Sequence, residues 1–134
     1  MTRQRFSVAG VNELLPDLCT AMEMVTQATA HLESMVPELF AGGRPDSDSL
    51  VHPEYLTATL AVQRGVGAIE ALGGEVKDHR RGLVDFPSMK DGQEVYLCWV
   101  LGEDTVAFWH DLHAGFKGRA AITDQHAFKG DEVA

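Results

Sequence analysis

The chain has 134 residues, 45% of them hydrophobic, and sets 20 Asp and Glu against 11 Lys and Arg for a net charge of −9. This length suits one domain with a real core, and the composition excludes wholesale disorder. The acidic surplus repels phosphate backbones and anionic lipid, so neither nucleic acid nor a membrane is expected as a partner.

The two cysteines, Cys19 and Cys98, lack the dense spacing of a disulfide scaffold and form no CxxC motif. Reduced thiols in a cytoplasmic protein are the expectation. The start, MTRQRFSVAGVNELLPD, holds no apolar core of a signal sequence, and no apolar run of about 18 residues follows it.

Ser7 is placed to cap a helix beginning VAGVNELL, with Phe6 folding back as a hydrophobic staple. Pro16 then predicts a kink, or a short first helix followed by a second, because a proline removes a backbone donor and crowds the preceding turn. Leu15, Leu18, Met22, Val25, Thr29, Leu32, Val36 and Leu39 follow at alternating steps of three and four. That is a heptad seam, so a helix over about 8–40 needs a partner helix at a shallow left-handed angle. Pro37 and Gly42-Gly43 should end it, and GGRPDSDSLV reads as an exposed connection.

His52-Pro53-Glu54 starts the second helix, over about 53–72. Tyr55, Thr59, Val62, Val66, Ile69 and Leu72 form its apolar stripe, and Gly73-Gly74 stops it. Gly65 and Gly67 are costly in a helix interior. With Ala61, Ala68 and Ala71 they offer a surface for close approach, either to the first helix or to a second copy of the chain.

Strands are expected at 83–86, 94–101 and 105–112, joined by PSMKDGQ and GED as an antiparallel meander. The fold class is therefore α+β: a long antiparallel helical hairpin packed on a small three-stranded antiparallel sheet. Residues 1–122 form the domain, with 123–134 as a polar tail. A turn centred on Glu103 and Asp104 puts Leu97, Trp99, Leu101, Val106, Phe108, His110 and Leu112 on the helix-facing side. Tyr96, Cys98, Val100, Ala107, Trp109 and Asp111 then share the other side.

Several of these pieces occur together in a family. FSVAGVNELLPDL near the start and the ordered set LVDFP, YLCW, LGE, WHDL and AGFKGR resemble the bacterial family of uncharacterised proteins called DUF2203. Two departures stand out. Val100 occupies a position that is usually basic in the family, and AAITDQH replaces a shorter ending after the Gly-Arg pair. The resemblance brings no assigned biochemistry with it.

His110, Asp111, His113, Glu103 and Cys98 form the one cluster with metal-ligand chemistry, suited to zinc or another divalent metal. Against it, His110 and His113 point to opposite faces of a straight strand, and in the register above so do His110 and Cys98. A histidine hydrogen-bonded to a carboxylate or carbonyl is the simpler reading of His110. Glu103 with Asp85 offers a carboxylate pair for acid–base work, though turn chemistry accounts for Glu103. Cys98 has no evident base to activate it and reads as a small buried residue.

Trp109, Tyr96 and Arg119 are the ligand-binding candidates. Trp109 and Tyr96 lie on the amphipathic strand face, and Arg119 ends a Gly115-Phe116-Lys117-Gly118 loop able to hold an anion. Two functions follow. The favoured one is a dimeric interaction or ligand-binding module with no complete catalytic constellation. The alternative is a small metal-binding protein or metal-dependent enzyme centred on His110.

Overall fold

The computed structural model describes residues 4–39 and 52–131, with side chains to Met35 in the first of these segments. The expected connection around Gly42-Gly43, and the seam side chains Val36 and Leu39, lie outside the described residues. The fold is α+β, as the patterning implies. Helix α1 spans Val8–Leu39 and helix α2 spans Pro53–Leu72. The sheet holds β1 (Glu75–Asp78), β2 (Leu83–Lys90), β3 (Gln93–Val100), β4 (Phe108–Asp111), β5 (Ala120–Ala121) and β6 (Phe128–Lys129). Its order is β1-β2-β3-β4-β5, and β6 pairs with β2.

Helix α1 runs through Pro16 without a break. Near its start only a few turns precede the proline, and the apolar seam on both sides outweighs one lost backbone bond. Ser7 Oγ accepts from Gly10 N at 3.0 Å, closing the N-terminus as expected. Phe6 is buried and meets Phe86 edge-on at 5.2 Å. His52 caps α2 by accepting from Glu54 N at 3.2 Å, and Gly73 ends it in the left-handed region at φ 104°.

The helices pack on each other along the heptad seam: Leu18, Met22 and Val25 on α1 and Ile69 on α2 are fully buried. Gly65 is the close approach. A Cβ added there would stand 2.5 Å from Val25 Cγ2 and 3.0 Å from Ala21 O. Gly67 has open space around it.

The sheet has six strands where three were expected, for identifiable reasons. Asp91 at φ 53° and Gly92 at φ 78° make a two-residue turn between β2 and β3. Asp-Gly is among the strongest hairpin signals, so β2 extends to Lys90 through residues assigned to a loop. Pro87 is tolerated there because β1 pairs only Leu83 to Asp85 and β6 only Met89 and Lys90. Its backbone faces that gap, and its carbonyl accepts from Phe6 N at 2.7 Å.

The expected tail is also tied down. Phe128 is 3% exposed, β6 pairs with β2, and Asp131 exchanges two backbone-anchored bonds with Arg5. Burial of one phenyl ring anchors an otherwise polar segment.

The two faces of the sheet differ in chemistry. Val84, Phe86, Val95, Leu97 and Trp99 join the helix residues in one core. The opposite face carries Leu83, Asp85 and Pro87 on β2 beside Tyr96, Cys98 and Val100 on β3, then Phe108 and His110 on β4.

Candidate metal and anion site

The register between β3 and β4 is the decisive correction to the sequence reading. Tyr96 stands opposite His110, Leu97 opposite Trp109, and Cys98 opposite Phe108. That is one residue away from the expected pairing, and a slip of one exchanges the faces of every side chain on β4. His110 therefore shares a face with Cys98, and Trp109 turns toward the helix side. Trp109 packs against the core, lies 5.7 Å from Phe128, and is overlaid by Lys90 at 5.0 Å.

Three strands now bring together a group that the sequence did not assemble. Asp85 and Cys98 are direct partners across β2 and β3. His110 reaches them from β4, with Nε2 3.0 Å from Asp85 Oδ2. One ligand atom from each of Asp85, Cys98 and His110 lies within 4.8 Å of the other two. All three are buried, at 3%, 0% and 4% exposed.

Protonation follows from the partners. His110 Nδ1 lies 2.7 Å from the Asp111 carbonyl, which only accepts, so Nδ1 carries a proton. Nε2 and Asp85 then share one further proton, either as imidazolium with carboxylate or as imidazole with carboxylic acid. Burial pushes the Asp85 carboxyl above its ordinary value, and the hydrogen bond to His110 opposes the shift. Burial and the neighbouring Asp85 push the Cys98 thiol up to about 12, so it is neutral near pH 7. Asp85 Oδ1 has no hydrogen-bond partner among the described residues. A buried acceptor left without a partner costs about 1–3 kcal/mol.

The remaining candidates go elsewhere. Glu103 receives Val100 N at 2.8 Å and pairs with Arg119 Nη2 at 2.8 and 3.0 Å. Asp111 accepts from His113 N and Ala114 N, which lowers its pKa, and His113 itself is exposed. Tyr96 tilts against His110 at 5.4 Å and donates to Glu75 at 3.2 Å. Arg119 lies on the cluster face: its guanidinium packs on Phe108 at 3.9 Å and reaches the Cys98 carbonyl at 3.5 Å.

Asp85 was the residue that motif reasoning left out of the ligand set. A signal existed: an acid inside the apolar run Leu83-Val84-Asp85-Phe86-Pro87 is out of place in a strand buried on both faces.

The family model for DUF2203, described as an uncharacterized conserved protein, matches residues 4–122. The chain belongs to the DUF2203 family. No curated protein and no solved structure matches it. The family assignment thus covers the whole sheet cluster, from Asp85 through His110 to Arg119, and attaches no reaction to it. Among the described residues of this DUF2203 chain, no helix is long and apolar enough to cross a membrane.

Proposed function

We propose that this DUF2203 protein binds one divalent transition-metal ion, zinc foremost, through Asp85, Cys98 and His110. The observation that carries the reading is the convergence of a carboxylate, a thiol and an imidazole from three adjacent strands, all buried and within 4.8 Å of one another. Tetrahedral zinc with bonds of about 2.0–2.3 Å separates its ligands by roughly 3.3–3.8 Å, so the His110–Asp85 contact would open slightly and any wider separation would close by about 1 Å or less. The Nδ1 contact to the Asp111 carbonyl supports it, because a fixed Nδ1–H leaves Nε2 as the coordinating nitrogen. The ion would replace the shared proton and occupy the unpartnered Asp85 oxygen. A free thiol ligand suits a reducing compartment, in keeping with a cytoplasmic location.

The test is elemental analysis of protein purified without an affinity tag, followed by cobalt titration of chelator-treated protein. One metal per chain and a thiolate-to-cobalt absorption band, lost in Cys98→Ser, are expected. Metal-free protein whose thermal midpoint ignores both zinc and chelator would remove the proposal.

A second reading concerns partners. Met24, 42% exposed, lines a groove of about 460 Å³ on the helical hairpin with Ala28, His31, Pro53 and Ala58, and Leu56 and Leu60 of α2 are 44% and 48% exposed. Apolar exposure of this kind favours a homodimer or another protein partner through the helices rather than through Trp109. Sedimentation of the wild type and of Leu56→Glu/Leu60→Glu tests it. A wild-type monomer at high micromolar concentration counts against it.

A further inference from the structure

The metal reading leaves one charged group on the same sheet face unused. Arg119 is 14% exposed at its side chain, and its guanidinium packs on Phe108 at 3.9 Å and on Phe116 at 5.1 Å. Glu103 holds it through Nη2 alone. Arg119 Nε is buried and has no hydrogen-bond partner among the described residues. Five donors in a fixed fork make such a group a costly one to leave half used.

A second guanidinium stands on the same ring: Arg81 lies 5.2 Å from the Phe116 centroid. It pairs with Asp78 at 3.8 Å near the surface, and the other Asp78 oxygen is occupied by the backbone N–H groups of Arg80 and Arg81. Surface pairs of that kind hold a guanidinium weakly. Two guanidiniums thus meet on one phenyl ring, each engaged by a carboxylate through only part of its fork.

We infer that Arg81 and Arg119, placed about Phe116, bind a small oxyanion of phosphate type beside the Asp85–Cys98–His110 cluster. A tetrahedral oxyanion offers acceptors to two forks at once, which a single carboxylate does less well. Arg119 supplies Nε and Arg81 its exposed fork, while Glu103 keeps the Arg119 plane against Phe108. Admission of the anion requires Phe116 to shift from Arg119, and the flanking Gly115 and Gly118 leave that turn short of side-chain anchors. The ligand is either free phosphate or the phosphoryl end of a monoester, and their shared chemistry is what the arginines read. The neighbourhood of a metal centre rests on the proposed function, but the anion site does not need the ion.

The experiment is calorimetric titration of inorganic phosphate, and separately of phenyl phosphate, into chelator-treated protein. Saturable binding is expected, weakened about tenfold or more by Arg81→Gln and by Arg119→Lys, which keeps the charge and loses Nε. Arg80→Gln, whose residue pairs with Glu33, should leave affinity unchanged. Near-ultraviolet circular dichroism checks the fold of each variant. Proton–nitrogen spectra of the wild type give a reading free of mutation: the Arg119 Nε–H signal should shift on titration. Tighter binding of phenyl phosphate assigns the site to a monoester, and equal or weaker binding to the free ion. Absence of binding, an unmoved Nε–H signal, or equal weakening by Arg80→Gln overturns the inference. Metal binding is measured in phosphate-free buffer, so either reading can fail alone.

Discussion

His110 Nε2 lies 3.0 Å from Asp85 Oδ2, and neither side chain is more than 4% exposed. A pair this deep is not a surface ion pair whose loss solvent would absorb. Truncating one partner strands the other in a poorly solvated place. His110→Ala should therefore destabilise the metal-free protein by about 3 kcal/mol or more. Asp85→Asn keeps a hydrogen-bonding group against the imidazole and should cost less. Urea unfolding of the two single variants and the double variant reads the coupling between them. A His110→Ala cost below about 1 kcal/mol would mean that the pair carries no charge in the native state.

Metal loading should be linked to pH through two protons. One leaves the Cys98 thiol, which is neutral at pH 7 because its pKa is raised to about 12. The other is the proton shared by His110 and Asp85, and one is lost from that pair whichever partner holds it. Zinc titrations in buffers of different ionisation enthalpy should give about two protons released per ion near neutral pH. Affinity should rise with pH. Release of only one proton per ion would show that the thiol is not a ligand.

Cys98 makes a separate prediction in the absence of metal. A thiol whose pKa is raised on folding favours the native state below its unfolded value, near 9, and that advantage is lost as pH rises toward about 12. Stability should fall across that window by on the order of a few kcal/mol, and Cys98→Ala should flatten the fall. In native protein at pH 8, iodoacetamide should modify Cys19 before Cys98, since Cys98 is fully buried and Cys19 half-buried. Peptide mapping after timed quenching decides it, and prompt modification of Cys98 would contradict the burial.

Much of the fold was legible because its signals were local. The three-four steps from Leu15 to Leu32, the Ser7 cap and the Gly73 stop each name their own structure. The strand register was not local. Val106 N is held by Asn12 Oδ1 at 2.8 Å, and the Ala107 carbonyl accepts from Ile122 N at 2.9 Å. The segment after Glu103 is thus fixed by α1 and by the chain beyond β5, not by β3. Its detour delays β4 to Phe108 and moves the pairing by one residue. That single step joined His110 to Cys98 and hid Trp109, so the ligand set was invisible to any argument from spacing alone.

The paired glycines of α2 separate packing from propensity. Gly67 has nothing within 4 Å of an added Cβ, so Gly67→Ala should stabilise the protein by about 0.5–1 kcal/mol through helix propensity alone. At Gly65 the same methyl group meets Val25 Cγ2 at 2.5 Å and the Ala21 carbonyl at 3.0 Å. The valine methyl can rotate away, but the carbonyl belongs to the α1 backbone and moves only with the helix. Overpacking of that kind costs about 1–3 kcal/mol, more than the propensity gain. Gly65→Ala should therefore lower stability while Gly67→Ala raises it, with thermal or urea unfolding as the measure. If both raise it, α1 and α2 can move apart at this crossing, and Gly65 is not what sets their closest approach.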